Sequence, residues 1–580
     1  MVHEPGRAGA SDRGVSIALA GSGGSGVMTA GTLLLTAAAG AGYYGLMVRT
    51  SGPQIRGGEA AALLRIAPHA VDGLDDRFDA LVALDWGNVQ RFADEIPLGE
   101  RSIVVGEEAE GEAPEVFRAT GARVHAVPIR KTVKGMPGAW ANMMALGLAG
   151  ALAGLPREAL HAAAKGSLRK AESLAANLAA IDAGIAAAAG MALPASLPPP
   201  PVRDRARWLV SGNEAAGFGA LRGGVRFVAA YPITPATELL EWMAPALAKV
   251  GGTLVQAEDE LASVNMAIGA SYGGVPSLTA TAGPGLALMT EGIGLAVASE
   301  TPIVVVDVMR GGPSTGIPAK SEQSDLSFAV SGLHGDAPRL VLAPTSIADC
   351  VATTQWAVHL AETLQAPAIV LSDQFLGQSR AVVDRPDEVE LAGGRARAEA
   401  NAPDYRRYRD TPSGVSPMAI PGTPGTVYTA DGLEHTEAGI PSSNARDHFR
   451  QLDKRARKLD VHDYGPRWAD VEGDGDAAVI TFGSASIAVR EAVARLAERG
   501  VRVKLIVLRL IAPLRLGALA QALDGVERVL VVEQNHSAQF HRYLRSIADL
   551  PARQQSFHRP GPLPLKPGEL ADAISAWRTA

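Results

Sequence analysis

This chain of 580 residues holds a single cysteine, Cys350. One thiol cannot close an intrachain disulfide. An iron–sulfur cluster takes several thiolates, so any cluster serving this protein must sit on another chain. Aromatic residues are scarce at 5%, against 64 glycines, so small residues must do much of the helix packing. Basic residues are in deficit: 54 Lys and Arg against 61 Asp and Glu give a net charge of −7. That balance argues against a nucleic-acid surface, which would need a basic face. Long apolar runs are missing as well. The alanine-rich stretch 177–197 is broken by Asp182 and Pro194, which makes a poor membrane span. Residues 1–14 are polar and lack the apolar core of a secretory signal. A cytoplasmic protein with no membrane or nucleic-acid partner is expected.

What is present is an alternation of apolar and helical stretches. The length predicts three or four domains of roughly 150 residues each. Over 14–190, strands are expected at 15–20, 80–84 and 102–105, closed by helices at 138–152 and 174–189. Four consecutive prolines, Pro198 to Pro201, mark 191–206 as a stiff linker. Over 207–385, apolar runs at 227–230, 277–280, 303–308, 340–342 and 368–371 predict a parallel sheet with helices on both faces. A polar connecting segment, 386–472, carries one basic helix near 445–459, expected as a solvated face or a subunit contact. A small strand–helix unit follows over 473–550, and 551–580 form a tail. The expected fold class is α/β and multidomain.

The strand at 15–20 runs into Gly21-Ser22-Gly23-Gly24-Ser25-Gly26, a G-x-G-x-x-G loop opening a helix. This is the fingerprint of a dinucleotide site, which also wants an acid about 20 positions on for the ribose hydroxyls. From Val27 to Gly58 there is no Asp or Glu, so an NAD site is disfavoured. Loop amides with Arg49 and Arg56 nearby still suit a phosphate. The alternative is a tight turn that packs the helix on its sheet.

Further along, Tyr231-Pro232-Ile233-Thr234-Pro235 ends one expected strand. Glu258-Asp259-Glu260 ends another and opens a helix that Gly273-Gly274 stops. A carboxyl at such a junction is aimed rigidly, though all three acids also suit the helix dipole. Thr281-Ala282-Gly283-Pro284-Gly285 lets backbone approach a ligand closely. Arg310, in Met309-Arg310-Gly311-Gly312-Pro313-Ser314-Thr315-Gly316, can grip a carboxylate bidentately or pair with a surface acid.

In this order the segments resemble the 2-oxoacid:ferredoxin oxidoreductase family over about residues 15–550. The glycine loop with Thr50-Ser51-Gly52-Pro53-Gln54-Ile55-Arg56-Gly57-Gly58 is similar to its gamma-type domain, although Ser25 stands where members more often have Gln. Tyr231–Pro235 and Glu258 resemble the pyrimidine-binding half of its thiamine diphosphate site. Residues 416–425 are similar to its alpha subunit, and Glu533-Gln534-Asn535 to its transketolase-C-like domain.

The resemblance implies a role for each residue. Glu258 would stand against the pyrimidine nitrogen N1′, favouring the tautomer that removes the thiazolium C2 proton. Thr234 and Arg310 would hold the substrate, Tyr231, Ile233 and Gly283 would meet the cofactor, and Gly21, Gly23, Gly24, Gly26 and Arg56 would serve coenzyme A. Gly473-Asp474-Gly475 looks like a metal–diphosphate motif, but it precedes a strand and no asparagine lies between Asp476 and Gln534. The Mg²⁺ and diphosphate site, like the iron–sulfur cluster, is therefore expected on a beta subunit, in a heterotetramer. The implied protein is an alpha subunit with a fused gamma domain. It would convert a 2-oxoacid, most like 2-oxoglutarate, to acyl-CoA and CO₂, with electrons passing to ferredoxin. Pyruvate or a branched-chain acid is the alternative substrate; a non-catalytic acyl-CoA-binding assembly subunit is the alternative from another class.

Overall fold

Short apolar runs bounded by glycine, proline or charge become the strands of three sheets in a computed structural model. It describes residues 14–52, 58–168, 171–193, 197–200, 202 and 205–579. Arg56 lies outside these residues, as do Pro201 and part of the stretch before it. The chain forms two units: residues up to Ser211 with Gln378–Arg385 and Leu565–Asp572, and Gly212–Gly377 with Pro386–Pro564 and the residues from Ala573.

The first unit contains β1 (Val15–Ser22), β2 (Tyr44–Ser51), β3 (Glu59–Ala67), β4 (Ala80–Ala83), β5 (Ile103–Glu107), β6 (Arg123–Val127), β7 (Arg207–Ser211) and β14 (Arg380–Asp384). They form one sheet in the order β6-β5-β4-β1-β3-β2-β14-β7. Pairing from β6 through β1 is parallel and the rest is antiparallel. The sheet runs past the boundary expected at residue 190, because β14 pairs with β2 and β7 pairs with β14. Without them β2 would be an open edge. Leu19, Leu34, Leu64, Val82, Met143 and Val382 share its core. Small residues do the packing where helices Ala141–Leu152 and Ala171–Ala187 cross. A Cβ on Gly147 would stand 2.0 Å from the Ile181 carbonyl oxygen, and one on Gly184 2.0 Å from that of Met144.

The second unit holds two sheets. The first is built from β8 (Phe227–Ala230), β9 (Thr253–Gln256), β10 (Ser277–Thr281), β11 (Val304–Met309), β12 (Leu340–Leu342), β13 (Ala368–Asp373) and β18 (Leu510–Ala512). Its order is β18-β12-β13-β11-β10-β8-β9, parallel except for β18. All six residues of β11 are buried, as a central strand covered on both faces requires. The second sheet, β15 (Ala469–Glu472), β16 (Ala477–Phe482), β17 (Lys504–Leu508), β19 (Arg528–Glu533) and β20 (Arg553–His558), has the order β15-β17-β16-β19-β20. Gly473-Asp474-Gly475 is the turn between β15 and β16. Arg509 ties the two sheets, with Nε 3.0 Å from Asp349 and Nη2 3.1 Å from Asp470.

The basic helix Ala445–Asp460 is solvated on one side only. Lys454 and Lys458 are buried and donate to the Glu300 carboxylate at 2.5 and 3.1 Å. Arg407, also fully buried, donates to the Glu300 carbonyl at 2.8 Å. Burial alone would raise the Glu300 pKa, but the three cations outweigh it and hold the carboxyl well below the usual range. Among the described residues no helix is long and apolar enough to cross a membrane.

Candidate active site

Open parallel sheets bind ligands outside the carboxyl ends of their strands, where the strand order reverses. In the seven-stranded sheet that point lies between β8 and β10, since β9 is on one side of β8 and β10 and β11 are on the other. Four sequence motifs converge there. Tyr231–Pro235 follows β8, Glu258 follows β9, Thr281–Gly285 spans the end of β10, and Arg310 follows β11. At about 4.8 Å between strands, the four fall within roughly 15 Å.

The three consecutive acids have three different surroundings. Ala257 N–H donates to Ala230 O at 3.0 Å, extending the β8–β9 pairing so that Glu258 emerges beside Tyr231. Asp259 caps helix Glu260–Tyr272, its carboxylate accepting from Ala262 N at 2.7 Å. Glu260 is buried against Gly285, where a Cβ would stand 2.7 Å from its Oε1. Only Glu258 is exposed, with no hydrogen bond or ion pair among the described residues. Tyr231, Leu261, Met266 and Leu288, on the loops and helices that follow β8, β9 and β10, are also exposed. Ile233 and Thr234 are half-buried.

Arg310 is 6% exposed, and its Nη1 donates to the Thr234 carbonyl at 2.5 Å. Its Nε has no partner, and it makes no ion pair among the described residues. Two acids nearby are also unsatisfied. Both oxygens of fully buried Asp307, and Oδ2 of Asp325, lack partners. Asp325 closes against Gly283, where a Cβ would meet its Oδ1 at 2.6 Å. Burial, and then the charge of Asp325, drive the Asp307 pKa well above the carboxylate range. Burial pushes Asp325 up to about 7, opposed by the Ser324 hydrogen bond and Arg310 and reinforced by Glu322. Burial lowers the Arg310 pKa, and the two acids oppose it.

Sequence reasoning missed both acids, although a charge inside Val-Val-Val-Asp-Val-Met is a signal, because burying it is costly. The segment carrying Asp325 is clamped from the other sheet. Gln323 N donates to Gln534 O and Gln534 N to Gln323 Oε1, both at 2.8 Å. Gln539 accepts from Ser327 N at 2.9 Å and donates to Ser324 O at 2.8 Å. Thus the Glu533-Gln534-Asn535 region holds the loop beside Arg310.

In the first unit, Gly24 and Gly26 take the left-handed conformation, φ 93 and 84. A Cβ on Gly26 would stand 2.3 Å from Asn142 Nδ2. An acid does meet the loop, but it is Asp85, just beyond β4. Its carboxylate accepts from Ser22 N at 2.9 Å, Ser22 Oγ at 2.6 Å and Gly87 N at 3.0 Å. Gly23 N donates to Gly58 O at 2.5 Å. The amides of Gly24 and Gly26 have no partner among the described residues.

Comparison with known proteins gives three matching family profiles. They are pyruvate flavodoxin/ferredoxin oxidoreductase, thiamine diphosphate-binding (218–454), pyruvate ferredoxin/flavodoxin oxidoreductase (16–187), and pyruvate:ferredoxin oxidoreductase core domain II (475–554). The 2-oxoglutarate synthase subunit KorA of Methanothermobacter marburgensis is 37% identical over 367 residues, 61% of this chain and 96% of that one. This chain belongs to the 2-oxoacid:ferredoxin oxidoreductase family. Within the family, the alpha subunit of the Saccharolobus solfataricus 2-oxoacid:ferredoxin oxidoreductase is 35% identical over 357 residues, covering 58% of this chain and 56% of that one. A solved structure, the 2-oxoglutarate:ferredoxin oxidoreductase from Magnetococcus marinus with 2-oxoglutarate, coenzyme A and succinyl-CoA bound, superposes with a TM-score of 0.90 at 36% identity. It covers 97% of this chain and 99% of that one.

The chain is thus an oxidoreductase alpha subunit of this family, with a thiamine diphosphate-binding domain and the expected multidomain α/β fold. The residues at the switch point fit the pyrimidine half of that cofactor. Glu258 offers an exposed carboxyl engaged by nothing else among the described residues, at the strand end beside exposed Tyr231.

Proposed function

We propose that this chain is the alpha subunit, with a gamma-type N-terminal unit, of a CoA-acylating enzyme that oxidatively decarboxylates 2-oxoglutarate and passes electrons to ferredoxin. The observation that carries this reading is Arg310. A buried guanidinium with one neutral partner and no ion pair among the described residues, at the same carboxyl end of the sheet as an equally uncommitted glutamate, is a seat for an anion.

When bound, thiamine diphosphate supplies the nucleophilic carbon and the electron sink that decarboxylation of a 2-oxoacid needs. Glu258 holds a proton at the pyrimidine ring nitrogen. Tyr231, Ile233 and Gly283 would help hold the cofactor. Arg310 and Thr234 hold the substrate carboxylate beside it. A beta subunit carrying Mg²⁺, the diphosphate site and the iron–sulfur cluster covers exposed Tyr231, Leu261, Met266 and Leu288, which excludes water from the site. The unpaired amides of Gly24 and Gly26, with Gly21 and Gly23 shaping the turn and Arg56 nearby in sequence, take a phosphate of coenzyme A. The relatives named for 2-oxoglutarate support that substrate over pyruvate and the branched-chain acids.

The test is co-expression with the beta subunit and a viologen-reduction assay with coenzyme A. 2-Oxoglutarate, pyruvate and 2-oxoisovalerate are compared, with and without thiamine diphosphate. Cofactor-dependent turnover with 2-oxoglutarate is expected. Turnover with pyruvate alone would overturn the substrate. No reduction by a complex shown to hold cluster and thiamine would overturn the catalytic reading.

A further inference from the structure

We propose that Asp325 takes up a proton from solvent as the anionic 2-oxoacid seats at Arg310, so that substrate binding is proton-coupled. The inference rests on the assignment of Arg310 to the substrate carboxylate. Among the described residues Arg310 is the cation that acts on both Asp307, which is fully buried, and Asp325, which is half-buried with its Oδ2 inside. Neither acid forms an ion pair with it, and three of their four oxygens are buried without any partner. Before substrate arrives, an uncharged Asp307 and an ionised Asp325 leave the group neutral with Arg310. A substrate carboxylate adds a negative charge where water cannot screen it, and an uncompensated charge there is expensive. One proton on Asp325 restores neutrality.

Moving Asp325 aside is blocked by its surroundings. Its carboxyl abuts Gly283, and the residues on either side of it are clamped by Gln534 and Gln539. The other charged groups around it push the same way or are already engaged. Glu322, on the same segment, accepts from Gly561 N at 3.1 Å and disfavours a negative Asp325. His536 acts on Glu322. Glu260, on the helix beyond Gly285, packs against that glycine. Asp307 is fully buried with neither oxygen partnered, and burial and the charge of Asp325 hold its pKa well above the carboxylate range, whereas Asp325 is pushed up to about 7.

The test uses the complex with its beta subunit. Above about pH 7, kcat/KM for the 2-oxoacid is expected to fall about tenfold per pH unit, while Asp325→Asn flattens that fall. Calorimetry supplies a readout that needs no turnover. N-oxalylglycine or oxamate, whichever matches the acid turned over, is titrated at pH 8 in two buffers of different ionisation enthalpy. Wild type is expected to take up close to one proton per site and Asp325→Asn close to none. Wild type binding the isostere without proton uptake, or Asp325→Asn retaining the full pH slope, overturns the coupling. Arg310→Ala distinguishes the two layers. Unchanged affinity for the isostere sinks the assignment of Arg310 itself. Lost affinity, with no proton uptake in wild type, sinks only the coupling.

Discussion

Glu258, Asp259 and Glu260 adjoin in the chain but differ in what surrounds them, so single substitutions separate their roles. Glu258 is exposed and bonded to nothing among the described residues. Replacing it with Gln is expected to leave stability within about 0.5 kcal/mol of wild type. Turnover with the beta subunit should nevertheless fall by about 10²–10⁴, the usual share of a positioned proton-transfer group. Asp259→Ala removes the cap at Ala262 N, which costs about 1 kcal/mol of stability. Glu260→Ala empties a buried position against Gly285 and costs about 1–3 kcal/mol. Urea midpoints and CoA-dependent viologen reduction, measured side by side on all three variants, are sufficient. The reasoning fails if Glu258→Gln keeps a third or more of wild-type turnover, or if its midpoint drops as far as that of Glu260→Ala.

Two further outcomes are expected. Glu300→Ala strands Lys454 and Lys458 in the interior and should cost about 3–5 kcal/mol by urea denaturation. The Glu300 carboxyl is held below its unfolded value, so its contribution is present above about pH 4 and is lost as pH falls further. A loss under 1 kcal/mol would show that the cluster is not a fastening. Asp85→Ala leaves the Ser22 and Gly87 amides without their acceptor, costing about 1–3 kcal/mol. It should raise the KM for coenzyme A while sparing that for the 2-oxoacid, and equal effects on both would argue against a coenzyme A role for the loop.

β8 and β12 fall on the residues expected from sequence, 227–230 and 340–342, because short apolar runs pinned by turn residues have few other uses. β20 is different. Arg-Gln-Gln-Ser-Phe-His carries no apolar alternation, and it forms because β19 offers it an edge. The same contrast holds at the site. Glu258, Thr234 and Arg310 sit in motifs that can be read locally. Asp325 sits in a polar loop whose meaning depends on Gln539, 215 positions from Ser324. Lys454 and Lys458 read as a wet basic face because their counter-charge, Glu300, lies 154 positions before Lys454. Long-range charge pairing leaves no local trace in composition or periodicity.

β18 has a further consequence. It lies antiparallel along β12, the last parallel strand on that side of its sheet, and so covers a row of backbone donors and acceptors. Leu342 and Leu510 are partners across that seam. During synthesis the intervening chain takes roughly 10–30 s to emerge at usual elongation rates. For that interval β12 is a free template for pairing with other chains, the hazard that exposed strand edges carry. The nascent protein is therefore most vulnerable to aggregation after its cofactor-binding sheet has formed and before its last small sheet arrives. A chain ending ahead of Leu510 would carry that exposed edge permanently.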